Sequence, residues 1–190
     1  MTVDSRRTDT RERALAVALE LFAQQGYTVT SLREIAERLG VTKAALYFHF
    51  RTKEEILTAI LRGYLDGIAG LVAEAQAEPR SPEQQERVLR RFAAHQQQWG
   101  SDLMLLVRQN ATEIHDLPIA GEIKEAMQAV VAVLAPPGAD TAQRLRVRTA
   151  LTTFQVAALT AMRDEKGNEA ELREAALALA LEILRGGPAA

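Results

Sequence analysis

Between Ser31 and Phe50 the chain sets two short apolar-periodic segments on either side of one glycine, and few folds accept that arrangement. Ser31 and Glu34 stand three residues apart ahead of Leu32, Ile35, Ala36 and Leu39. That spacing is the mark of a capping box, in which each of the two side chains satisfies an orphan amide at the helix start. Gly40 follows, free to take the left-handed conformation that reverses a chain sharply. Thr42 then opens a second short helix that ends near Phe50. Leu32, Ile35, Ala36, Leu39, Val41, Leu46 and Phe50 supply a small core that fixes the angle between the two segments. Helix, glycine turn and helix together read as a helix-turn-helix. A plain helical hairpin shares the caps and the glycine, so the outward face of the second helix has to separate the two readings.

On that face Lys43, Ala44 and Tyr47 fall within one arc of about 100°, while Leu46 and Phe50 point inward. A cation bonds a guanine edge or a phosphate, an alanine permits close approach to a groove, and a tyrosine hydroxyl donates to a phosphate. Lys53 sits in the first turn of the next helix, where it opposes the helix dipole and an anion would give it a purpose.

The rest of the chain also reads as helix, with Ala, Leu, Glu, Arg and Gln throughout and no alternating strand pattern. Turn signals divide it into about nine helices. The first is predicted from Thr10 to Gln25, with Ala14, Leu15, Ala18, Leu19 and Phe22 on one face and Gly26 at its end. The fourth opens on a second capping box, Thr52 with Glu55, and runs towards Pro79. Later helices are predicted from Ser81 to Gly100, Ser101 to about His115, Asp116 to Ala135, Asp140 to about Asp164 and Asn168 to Arg185. No flexible linker separates the halves, so the fourth helix is expected to join them.

Composition bounds the possibilities. Apolar residues make up 47% and charged residues 25%, which suits a folded domain rather than a disordered chain. With no cysteine there are no disulfides, thiolate metal sites or cysteine nucleophile. The polar N-terminus shows no signal peptide, and the apolar stretches are broken by charge, so no membrane span is expected and a cytoplasmic protein is. The net charge is −2, but residues 1–53 hold nine Lys/Arg against six Asp/Glu. A basic end on an acidic body suits a protein that meets a polyanion with one end. His95 and His115, even with Glu113 or Asp116, lack helical metal-ligand spacing, and no phosphate loop or nucleophile elbow is present. Neither an enzyme, a metal nor a cofactor is expected.

The run from Thr30 to Leu57, with Leu21, Phe22, Gly26 and Tyr27 before it, resembles the DNA-binding domain of the tetracycline-repressor (TetR) family. The match with Tyr47, His49, Phe50 and Lys53 is close, and it covers about residues 10–57. The resemblance implies an all-α protein: a three-helix helix-turn-helix domain over residues 1–53, joined to a larger ligand-binding and dimerisation domain over 54–190. It implies a homodimeric transcriptional repressor on a palindromic double-stranded DNA operator, released when a small apolar or amphipathic ligand binds. Position by position it assigns Arg33, Lys43 and Ala44 to base contacts, and Ser31, Thr42, Tyr47, His49 and Lys53 mainly to phosphate. A pocket in the larger domain follows from the resemblance, with Phe92, Trp99, Met104, Met127, Phe154 and Met162 as candidate apolar lining and Gln96, Gln109, His115 and Gln155 as candidate polar groups. The last two helices are the candidate dimer interface, because Ala175–Leu181 is apolar and small nearly all round. The competing reading is a helical small-molecule-binding protein that does not engage an operator.

Overall fold

The structure, a computed structural model, describes residues 3–161 and 169–186, with side chains from Asp9 onward. Among these residues every element is helical: α1 (Val3–Gln25), α2 (Leu32–Leu39), α3 (Lys43–His49), α4 (Lys53–Ala77), α5 (Pro82–Gln109), α6 (Ala111–His115), α7 (Ile119–Leu134), α8 (Thr141–Ala161) and α9 (Glu169–Arg185). The all-α expectation holds. The chain packs as two units: residues up to Tyr64 with Asp102–Ala120, and Leu65–Ser101 with the residues from Gly121 onward. Helices α4 and α5 each pass from one unit to the other.

In the first unit α1 packs on α2 and α2 on α3. Ala14, Ala18, Leu21 and Phe22 of α1 are buried, as are Leu32, Ile35, Ala36 and Leu39 of α2 and Leu46 of α3. Helix α1 begins at Val3 rather than Thr10. No glycine or proline lies between them, and a helix without a breaker runs on past its apolar stripe.

In the second unit α8 packs along α9. Val147, Ala150, Leu151, Phe154 and Ala157 are buried on α8, and Ala176, Leu177 and Ala180 on α9. Thr153 shares its hydroxyl hydrogen between the carbonyls of Ala150 at 2.8 Å and Ala176 at 3.1 Å, tying the two helices together. Asp140 caps α8 reciprocally: Gln143 N donates to Asp140 Oδ1 at 2.8 Å, and Asp140 N to Gln143 Oε1 at 2.9 Å. Arg80 donates to the carbonyls of Ala132 and Ala135, and Gln85 Nε2 to that of Leu134 at 2.7 Å, so the C-terminal carbonyls of α7 are satisfied by side chains.

One expected boundary holds, and two expectations need correction. At Gly100, φ 65° and ψ −174°, the backbone leaves the helical region in a conformation that only glycine adopts readily, so Pro82–Gln109 is two helical stretches meeting at a kink, where the sequence placed a helix end. The segment after it is not one helix to His115. It breaks at Asn110, which is buried at φ −120° and ψ 36° and whose Nδ2 donates to Leu106 O at 2.9 Å. An asparagine amide competes with the backbone for such carbonyls, which makes it a poor interior residue for a helix. Finally, α4 is long and apolar enough, by length and composition, to cross a membrane. Of its charged residues, Lys53, Glu54, Glu55 and Glu74 lie towards its ends, and Arg62 and Asp66 alone interrupt its apolar middle. Its apolar side chains are nevertheless those of a core helix: Ile56, Leu57, Ile60, Leu61, Leu65, Ile68, Leu71 and Val72 are all buried.

Candidate nucleic-acid interface

The capping box at Ser31 is complete. Glu34 N donates to Ser31 Oγ at 3.2 Å, and Ser31 N donates to Glu34 Oε2 at 2.7 Å. The Ser31 hydroxyl bond holds the Glu34 carboxyl below its ordinary range. At the other end of α2, Gly40 is left-handed at φ 73° and ψ 30°, and Val41 N closes back on Ala36 O at 3.0 Å. This is the six-to-one bond of a Schellman turn, and it sets the direction of the chain into α3. Thr42 then caps α3 by accepting from Ala45 N at 3.2 Å.

With Leu46 fully buried, the opposite side of α3 is left to solvent. Thr42, Lys43, Ala44 and Tyr47 are exposed together, and His49 is half-buried at the helix end. The Lys43 ammonium lies 5.1 Å from the centre of the Tyr47 ring, one turn away. Phe48, which the sequence reading did not single out, is 67% exposed beside them and meets His49 edge-on at 5.3 Å. Its exposure was readable from the same 100° periodicity, two residues on from Leu46. On α2, Arg33 is exposed and paired with Glu37 at 2.7 Å.

Lys53 is placed differently from a simple surface lysine. Its Nζ donates to the carbonyls of Tyr27 at 2.7 Å and Thr28 at 2.9 Å. The ammonium also lies 4.8 Å from the Tyr27 ring centre, and burial pushes its pKa down. Those carbonyls account for a cation in the first turn of α4, where the dipole disfavours one. Two of its three donors are used, and one N–H remains. The adjoining loop is held from inside by Thr30, 1% exposed, whose hydroxyl donates to Gly26 O at 2.8 Å. Tyr27 packs edge-on against Phe22 at 5.1 Å. The second capping box is displaced by one residue: Glu55 N donates to Thr52 Oγ1 at 3.1 Å, but the Glu55 carboxylate accepts from Arg51 N rather than Thr52 N.

The candidate pocket residues divide between the two units. Phe92 and Phe154 are buried and tilted against each other at 5.8 Å, and Trp99 meets His95 edge-on at 6.4 Å. Gln96 and Met127 are half-buried, and Gln155 is exposed. All of these belong to the second unit. Met104, half-buried, and Gln109 and His115, both exposed, belong to the first. Met162 lies outside the described residues.

Two helices locked by a capped glycine turn, with a cationic and aromatic face left open, define a helix-turn-helix protein. Residues 14–60 match the family described as bacterial regulatory proteins, tetR family. The regulator AcrR of Shigella flexneri is 44% identical over 70 residues, 37% of this chain and 33% of that protein. The repressor KstR2 of Rhodococcus jostii is 38% identical over 73 residues, 38% of this chain and 36% of its own. These matches span about a third of each relative's length. The likeness of fold extends further: the crystal structure of the TetR-family regulator PfmR from Thermus thermophilus matches with a TM-score of 0.67 at 26% identity, over 94% of this chain and all of that one. Residues 14–60 are thus a tetR-family DNA-binding segment, and the likeness of fold to a TetR-family regulator extends over nearly the whole chain.

Proposed function

We propose that this protein is a sequence-specific transcriptional regulator, a repressor that binds a palindromic operator as a homodimer in the cytoplasm. The observation that carries the reading is the exposed face of α3, where Thr42, Lys43, Ala44 and Tyr47 stand together on a helix whose orientation Leu46 and Gly40 fix. In a major groove Lys43 and Ala44 reach base edges, and Thr42, Tyr47 and His49 hold phosphates, with Ser31 doing so from the start of α2. Arg33 joins them once it exchanges Glu37 for DNA. Lys53 lends its remaining N–H to a phosphate while its other two bonds hold the loop from Tyr27. In this reading residues 1–53 are the DNA-binding domain, and 54–190 bind ligand and dimerise.

The dimer is supported by an open groove of about 280 Å³ between α8 and α9, lined by Thr149, Val156, Thr160, Leu172 and Leu179 among others. Val156 is 61% and Leu179 51% exposed in the single chain. The hydroxyls of Thr149, Thr152 and Thr160 donate to carbonyls of their own helix, at Leu145, Arg148 and Val156. A face of threonines satisfied in this way presents methyl groups and can be buried dry. A second copy provides the cover, and two recognition helices about 34–36 Å apart then meet successive major grooves. A small apolar or amphipathic ligand, held near Phe92, Gln96, Trp99 and Phe154, favours the form that releases DNA. Helix α4, unbroken across residues of both units, is the element through which that change is passed.

Sedimentation of the chain with a duplex carrying an enriched site tests the assembly. Two chains, or a multiple of two, per duplex is expected. One chain per duplex overturns the palindromic mode, and ligand binding without any DNA complex favours the helical binding protein instead.

A further inference from the structure

Several arginines in this protein face carboxylates. Arg38 pairs with Glu20, Arg87 with Glu78, Arg90 and Arg185 with Glu86, Arg91 with Glu74, and Arg173 with Glu169. Arg80, Arg144 and Arg148 do not. They line one cleft of about 560 Å³ beside the turn at Pro136, Pro137 and Gly138, and no acidic residue is among its lining. Among the described residues, none of the three has a carboxylate partner. Asp140, four residues before Arg144, is engaged as the cap of α8, and Glu78, two before Arg80, pairs with Arg87.

The three guanidinium groups are held to different degrees. Arg80 is fixed by the carbonyls of Ala132 and Ala135. Arg144 Nε donates to Ala139 O at 3.0 Å, which leaves its terminal nitrogens for another acceptor. Arg148 lies one turn further along α8 and is exposed. Like charges one turn apart repel, and Arg144 and Arg148 stand one turn apart on α8. Drawing three cations to one cleft of an acidic chain therefore costs stability in the empty protein, and an anion with several acceptor oxygens reverses that cost. A phosphate matches guanidinium forks arriving from separate elements better than a carboxylate, which has only two oxygens. Val131, Pro136 and Pro137 add an apolar wall suited to a compact organic group.

We infer that this cleft is a binding site for a small organic phosphate, its phosphoryl oxygens on Arg144 and Arg148 beside the anchored Arg80, and its carbon skeleton on the proline turn. The site is separate from the α3 face, and the inference does not depend on the DNA reading.

Isothermal titration of the full chain with phenyl phosphate, inorganic phosphate and benzoate tests it. Phenyl phosphate is expected to bind once per chain, more tightly than either of the others. Arg148→Gln, an exposed side chain with no bond to lose, is expected to weaken it about tenfold, a loss on the scale of one good ionic contact. Arg146→Gln removes the same charge from the same helix but not from the cleft, and is expected to change nothing. Absence of phenyl phosphate binding overturns the site. So does equal weakening by Arg146→Gln and Arg148→Gln, which would show attraction by bulk charge. Benzoate binding as tightly as phenyl phosphate overturns the phosphate assignment.

Discussion

Lys53 and Tyr27 are joined twice: the ammonium donates to the Tyr27 carbonyl at 2.7 Å and lies 4.8 Å from the centre of the Tyr27 ring. With the second bond, to Thr28, this lysine fastens the loop between α1 and α2 to the start of α4. Lys53→Met keeps the aliphatic stem and strands two carbonyls. The expected cost is about 1–2 kcal/mol, towards the lower end of charge-assisted bonds because water reaches the exposed Thr28. Urea unfolding measures it. An unchanged midpoint would mean that the lysine does not hold the loop in solution.

Gly40 carries the turn itself. A Cβ placed there meets nothing within 4 Å, so the penalty for Gly40→Ala comes from the backbone at φ +73° alone. A left-handed alanine costs about 1–2 kcal/mol, and asparagine should cost less. If alanine melts at the same temperature as the parent, the left-handed turn does not govern the stability of this domain.

Glu34 makes the N-terminus of α2 sensitive to acid. Its carboxyl, held below the ordinary value near 4.5 chiefly by the Ser31 hydroxyl, binds protons less readily folded than unfolded. Its contribution is therefore present above the unfolded value and is lost as pH falls through the folded one. The stability difference between the parent and Glu34→Ala should be constant near neutrality and shrink below about pH 4.5. Chemical denaturation across pH reads this directly, and a gap that widens in acid would reverse the assignment.

Val156 is 61% exposed on the α8 face proposed to meet its copy. Val156→Glu leaves the packed side of α8 intact but puts a charge where two chains close. Sedimentation should show a folded monomer, with operator affinity down about 100-fold or more through loss of one half-site. A dimer of undiminished strength would place the interface elsewhere.

These predictions differ in how far the sequence foretold them. The box at Ser31 and Glu34 and the reversal at Gly40 were legible because each is a local bargain among residues three to five apart. The bond from Lys53 to Tyr27 was not. Its acceptor is a backbone carbonyl 26 residues away, and a carbonyl has no residue type to betray it. Lys53 was read as a phosphate ligand from its first-turn position against the helix dipole and from the family pattern. The break at Asn110 left only one weak signal, a polar residue in a run that otherwise reads as helix. The meeting of Arg80 with Arg144 and Arg148 depends on how α7 and α8 turn about their prolines, which no periodicity reports. The α3 face was readable, except that Phe48 was passed over because an aromatic in an apolar run looks like core.

The central claim is that α3 reads DNA sequence, and selection from a random duplex pool, with the winner's affinity followed against salt, tests it most directly. The account predicts a palindromic winner, a steep fall in affinity with salt, weaker binding at an unchanged slope for Tyr47→Phe, which loses a neutral phosphate donor, and weaker binding with relaxed base preference for Lys43→Gln. A pool that shows no enriched sequence, or a winner bound equally well by the parent and both variants, would contradict it.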